Sequence, residues 1–280
     1  MRSLLFVPAD SERKIEKALA SGVDVVILDL EDSVAPANKA AARALAAETL
    51  KRPRSGPQMY VRVNALDTGL MSDDIAAVLP AGPDGIMQPK TETGACVEKL
   101  AVMVGTDLPV IAIATETANA MFGLNTYRDI SANLQGVAWG AEDLSNELGA
   151  QANRTSDGLL TAPYRLARSM CLFGARAAGV EPVDTVYVDF RNQEGFERDC
   201  MDGVRDGFTC KMAIHPAQVE PINRIFTPSA EQVAQARSII AAFAEAGDAG
   251  VVGIDGQMFD IPHLSRSRKL LERAKAYGVT

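Results

Sequence analysis

The chain has 280 residues, 47% of them hydrophobic and 23% charged, a composition that supports a sizeable folded core and argues against disorder. Its charge sum is 28 − 36 = −8. With no dense run of Lys or Arg, a nucleic-acid surface is not expected, while a local basic pocket for one small phosphorylated molecule stays open.

The length fits one (β/α) barrel or two small domains. Cys96, Cys171, Cys200 and Cys210 form no CxxC pair and no Cys/His zinc spacing, so they read as reduced, mostly buried thiols of a cytoplasmic protein. No apolar run approaches the ~20 residues that span a bilayer, and MRSLLFVPAD meets proline and an acid too early for a signal peptide. His215 and His263 are the only histidines, which shifts any catalytic machinery toward carboxylates.

Short β-rich apolar runs occur at 3–7, 23–28, 58–63, 85–88, 110–115, 136–140, 185–189 and 211–214. Apolar residues fall at helical spacing over 11–21, 37–50, 71–79, 92–104, 125–133, 161–178 and 231–246. Strands alternating with helices pair in parallel, and eight such units predict a closed (β/α)8 TIM barrel. The rival, an open doubly wound sheet, is disfavoured because no strand is followed by GxGxxG or GxxxxGK[ST]. Within the long connection between the sixth and seventh strands, 146–158 is the candidate active-site loop. Residues 1–249 are expected to form the catalytic barrel. Residues 250–280 are left over as a C-terminal extension: a hairpin-like stretch, VVGIDGQMFD, then a helix over 262–277. Because eight units already complete a barrel, this tail is expected to pack on a neighbouring subunit.

Catalytic groups of such barrels sit at the C-terminal ends of strands. There the sequence places Asp29, Glu31 and Asp32 (DLEDS), Arg62 and Asn64 (VRVN), Lys90 (QPK), Glu116 (IATET), Glu142 and Asp143 (GAED), Asp189 and His215. Any one of these is an ordinary solvent-facing charge, but seven successive strand ends on one rim form a set. A ring of carboxylates repels itself unless cations hold it, and Arg62, Lys90 and a bound metal are the available cations. Glu116 and Asp143 close adjacent strands, and two carboxylates without a nearby histidine or thiolate favour Mg2+ over zinc. The competing reading leaves them as solvated acids, or one of them paired with Arg62. Arg62 is either a structural counter-ion or a bidentate ligand for a carboxylate or enolate oxygen. Glu31 and Asp32 are expected to orient Arg62 or metal-bound water, and His215 to line a pocket wall.

The motifs RSLLFVPA, DLEDSV, VRVN, PKTE, ATETA, WGAEDL and KMAIHPAQV, in this order, resemble the HpcH/HpaI aldolase and citrate lyase β-subunit superfamily. The chain looks most like the citrate lyase β-like branch, which includes malyl-CoA, β-methylmalyl-CoA and citramalyl-CoA lyases. The resemblance implies a (β/α)8 barrel, assembled as a homotrimer or hexamer, that makes or breaks a C–C bond between a CoA thioester and a 2-oxo acid with Mg2+. Carried over by motif, Glu116 and Asp143 are the metal ligands. Arg62 contacts substrate and thioester oxygen. Independently of the motif carry-over, Glu116, Lys90, Glu31 and Asp32 are also expected in the substrate site. The stretch GQMFDIP is similar to the family's G-x-M-x-D-x-P, whose aspartate enters the adjacent subunit's active site, which makes Asp260 the general acid/base candidate. Two positions depart from the pattern, Ala120 and Cys210 standing where glycine is common. Other readings are a citrate lyase β subunit acting on a carrier-protein thioester, a malyl-CoA thioesterase, a pyruvate-dependent metal aldolase, which would use a rim histidine, and a catalytically silent binding protein.

Overall fold

The computed structural model describes residues 1–54, 56–105, 107–130 and 133–279. Its first eight strands are β1 (Ser3–Pro8), β2 (Val25–Asp29), β3 (Gln58–Arg62), β4 (Gly85–Gln88), β5 (Val110–Ile113), β6 (Leu134–Ala138), β7 (Glu181–Asp184) and β8 (Cys210–Ala213). Each pairs in parallel with the next, and β1 pairs with β8, so the sheet closes into a barrel. The open-sheet alternative is thereby excluded.

The helices are α1 (Glu12–Leu19), α2 (Lys39–Leu50), α3 (Met71–Val78), α4 (Gly94–Val104), α5 (Ala120–Gly123), α6 (Ala141–Glu147), α7 (Ala162–Ala177), α8 (Gln193–Asp206), α9 (Val219–Phe226) and α10 (Ala230–Ala246). They are followed by the strands β9 (Val251–Ile254) and β10 (Gln257–Asp260) and the helix α11 (Ile261–Ala276). Among the described residues no helix is long and apolar enough to cross a membrane.

Strand periodicity decides what fills the barrel. Val25 and Ile27 of β2, Tyr60 of β3, Met87 of β4 and Ile111 and Ile113 of β5 share one buried cluster, since alternate residues of a strand face the same side. The same alternation carries Asp29 and Arg62, two residues beyond Ile27 and Tyr60, to the C-terminal mouth. They are register partners across the β2–β3 pairing.

Three expectations need correction. The seventh strand lies at Glu181–Asp184, before the expected 185–189, so it ends at Asp184 and not at Asp189. Pro182 hid it, because an interior proline argues against a strand, yet its register with Val137 of β6 is intact. The segment expected as a helix over 125–133 is a 3-10 turn, Leu124–Asp129, with Ser131 and Ala132 outside the described residues. Helix α8 was not expected at all: its buried stripe is Gly195, Phe196, Cys200 and Gly203, too small and too polar in sequence to show an apolar period.

The chain packs as two compact units, Met1–Asn223 and Arg224–Thr280. The second has its own core of Ile239 and Phe243 from α10, Val252 and Phe259 from the hairpin, and Leu264 from α11. The anticipated boundary at 249/250 falls inside this unit, because α10 shares that core. The hairpin turns on Asp255 and Gly256, with φ of 50° and 79°, the double positive φ of a tight two-residue turn that Asp-Gly favours.

Candidate active site

The mouth of the barrel is organised around a buried arginine. Arg62 donates from Nε and Nη2 to the two carboxylate oxygens of Asp29, both at 2.7 Å. Its Nη1 lies 2.9 Å from Glu31 Oε2, a close ion pair that lacks a directed hydrogen bond. The Phe6 ring packs 4.6 Å from the guanidinium carbon, a cation–π contact that leaves the fork little freedom. Burial alone would raise the Asp29 carboxyl, but Arg62 overrides it and holds Asp29 below the ordinary carboxylate range. Two of the five guanidinium N–H donors are thus spent on Asp29 while Nη1 faces Glu31, which fixes the orientation of the fork.

Lys90 is the second cation. It sits just past β4 with φ of 50°, a left-handed conformation that costs a side-chain-bearing residue and persists only where surroundings enforce it. Its main-chain N–H donates to Glu116 Oε2 at 2.6 Å. Its Nζ reaches Glu31 Oε1 at 2.5 Å, Asp32 Oδ2 at 3.2 Å and Asp143 Oδ1 at 3.2 Å. One residue therefore touches both expected metal ligands.

Glu116 follows β5 and is 3% exposed. Burial, reinforced by the charges of Asp143 and Glu31 and only partly offset by Arg62 and the Lys90 amide, pushes its carboxyl up to about 8. Gly140, at the end of β6, makes room for it: a Cβ there would lie 2.6 Å from Glu116 Cγ. Asp143, in the first turn of α6, is more open, with 30% of its side chain exposed.

This donor set fits a hard divalent cation. A buried carboxylate that is costly to ionise beside a second acid is relieved by a cation between them. Among the described residues no cluster of three or more His, Cys, Asp or Glu is arranged around a metal position. The protein would then offer two carboxylates and leave the other positions to water and substrate oxygens, the pattern Mg2+ accepts and structural zinc does not.

Other residues of the expected rim do different work. Asn64 is buried and donates to Leu30 O and Asp74 Oδ2 at 3.0 and 2.7 Å, which makes it a structural tie. Glu142 accepts from Asn153 Nδ2 at 2.7 Å, holding the middle of the expected active-site loop. His215 caps a 3-10 turn, its Nδ1 accepting from Ala217 N at 3.2 Å, and stacks on Phe190. Asp184, the true end of β7, is buried under Trp139 Nε1 at 2.7 Å, Arg168 at 3.1 Å and Lys211 at 3.6 Å. Sequence reasoning missed this cluster, and the basic residue of β8 opposite β7 was its one visible signal. Asp260 belongs to the second unit, where it caps α11 and pairs with His263. That hydrogen bond holds Asp260 below the ordinary carboxylate range.

Residues 2–216 match the family described as HpcH/HpaI aldolase/citrate lyase. The chain belongs to that family. Among other members, it is 39% identical over 284 aligned residues to a (3S)-malyl-CoA thioesterase of Cereibacter sphaeroides, covering 98% of this chain and 95% of the relative. It is 33% identical to the citrate lyase subunit beta of Leuconostoc mesenteroides subsp. cremoris, covering 98% and 93%. Its structure resembles that of protein CitE from Mycobacterium tuberculosis in complex with magnesium, acetoacetate and coenzyme A, with a TM-score of 0.83, 35% identity and 98% of each chain covered. The HpcH/HpaI resemblance in the sequence motifs is therefore confirmed, and the relatives matched are named both as a malyl-CoA thioesterase and as a citrate lyase subunit.

Proposed function

We propose that this protein is a Mg2+-dependent carbon–carbon lyase. It cleaves, or in reverse forms, a 3-hydroxyacyl-CoA such as malyl-CoA, β-methylmalyl-CoA or citramalyl-CoA, giving an acyl-CoA and a 2-oxo acid. The observation that carries this reading is the Arg62 fork, locked by Asp29 and set beside the Glu116 carboxylate, which is itself within reach of the Asp143 charge. A fixed guanidinium next to a hard cation position suits a reaction in which negative charge moves from one substrate oxygen to another. The likeness to a CitE bound to magnesium and coenzyme A supports the same assignment.

Glu116 and Asp143 would hold Mg2+. Bound there, the ion supplies Lewis acidity to a substrate carboxylate and hydroxyl. As the hydroxyl loses its proton and becomes the carbonyl of the 2-oxo acid, the C–C bond breaks and its electrons pass to the thioester carbonyl as an enolate. Arg62 meets that enolate oxygen with N–H donors not engaged by Asp29, and because Asp29 has already fixed the fork, no reorganisation is needed at that moment. Glu31 keeps both Arg62 and Lys90 at the mouth. Asp260, contributed by the tail of a neighbouring subunit in a homotrimer or hexamer, would take up the hydroxyl proton and return it to the enolate carbon, the same two transfers running in reverse in the condensation direction.

A second reading is favoured by the 39% identity to a (3S)-malyl-CoA thioesterase: the same site would direct water at the thioester carbonyl. Turnover of malyl-, methylmalyl-, citramalyl- and citryl-CoA with and without Mg2+, with products identified, separates the two. A 2-oxo acid with an acyl-CoA marks the lyase, and a free hydroxy acid with CoA marks the thioesterase.

A further inference from the structure

We infer that Lys90 is a built-in counter-cation of the metal position: its ammonium neutralises the acidic mouth when no metal is bound and must leave Asp143 for Mg2+ to bind. The inference rests on the metal reading above and adds a residue that competes with the ion.

The geometry carries it. Four carboxylates, Asp29, Glu31, Glu116 and Asp143, converge on the mouth, and Arg62 is committed to Asp29 and Glu31. The charge of Asp143 is met by Lys90 Nζ at 3.2 Å, on the same side chain that bonds Glu31 at 2.5 Å. An ammonium at 3.2 Å from a carboxylate oxygen stands where a ligated cation would face strong repulsion, so the two compete for Asp143.

Two features make Lys90 suited to yielding. Its attachment at the backbone is fixed, by the N–H to Glu116 Oε2 and the positive φ, so displacement of the ammonium need not disturb Glu116. Its side chain is 28% exposed, and Glu31 and the exposed Asp32 offer the ammonium two other carboxylates beside Asp143. Moving off Asp143 thus needs only rotation of the side chain about fixed anchors. Lys90 is accordingly a positioning residue that sets how tightly the mouth holds its metal.

The test is calorimetric titration of the metal-free full-length protein with MgCl2, for wild type, Lys90→Met and Lys90→Arg, with melting temperatures measured as a fold control. Lys90→Met keeps an unbranched stem of similar bulk and removes the charge, so it is expected to bind Mg2+ about tenfold more tightly, as when a site masked in nine molecules of ten is freed. Lys90→Arg keeps the charge and is expected to stay near wild type. Unchanged or weaker binding by a folded Lys90→Met protein would overturn the role of Lys90 while leaving the metal reading intact. Absence of Mg2+ binding in wild type and variants alike would overturn both. If Lys90→Met fails to fold, the outcome rests on Lys90→Gln read the same way.

Discussion

At the scale of single residues, Glu116 has the most direct physical consequence. Its carboxyl is raised from 4.5 to about 8, so between those values the folded chain keeps a proton that the unfolded chain has lost. Stability from this group is therefore fully present below about 4.5 and is lost as pH rises through about 8. In metal-free buffer the melting temperature is expected to fall across that window, and Mg2+ is expected to restore it by binding the ionised form. Glu116→Gln removes the titration, and melting curves of this variant should show a flatter pH dependence between about 4.5 and about 8 and no response to Mg2+. A variant that still gains stability from Mg2+ would place the metal elsewhere. Glu116, Asp143, Arg62 and Lys90 were legible in the sequence because each follows a short apolar run at a strand end. The clamp of Asp29 on Arg62 was not, since side-chain pairing across β2 and β3 depends on register, which no single run reveals.

At the scale of elements, the strand order and the closed barrel were readable from the repeating alternation, whereas β7 and α8 were not. β7 contains a proline and has only four residues, and α8 buries glycines and a cysteine where a helix ordinarily shows leucines. Both are held by charge in place of a broad apolar face. Asp184 at the end of β7 meets Arg168 from α7 and Lys211 from β8, and Lys211 also meets Asp199 from α8 at 2.8 Å. Asp184→Asn leaves the fully buried Lys211 short of a partner and is expected to cost about 3 kcal/mol, read as a lower urea midpoint. No change would show that the cluster is energetically idle. The hairpin and α11 call for a different kind of variant. Truncation before Gly256, the obvious way to remove Asp260, would also remove Phe259 and Leu264 from the second unit's core. Asp260→Asn instead keeps a good helix cap. It is expected to preserve the melting temperature to within a few degrees and to lower turnover by at least about 100-fold, the scale of a lost acid/base. Turnover within a few-fold of wild type would remove Asp260 from the reaction.

At the scale of the whole molecule, the net charge of −8 takes on a location: part of it is the acidic mouth that Arg62 and Lys90 partly balance. If Asp260 acts in a neighbour's mouth, co-expressing Asp260→Asn with Glu116→Gln produces mixed oligomers in which some mouths are complete. Activity is then expected to exceed that of either variant alone, and no gain would mean that each chain supplies its own acid or none. What the sequence left open was the reaction, because its motifs match relatives named as a thioesterase and as a citrate lyase subunit alike. The most direct measurement is the product of malyl-CoA turnover by the wild-type protein with Mg2+. The lyase account predicts glyoxylate and acetyl-CoA in equal amounts, abolished by chelation of the metal. Free malate and CoA without glyoxylate would contradict it.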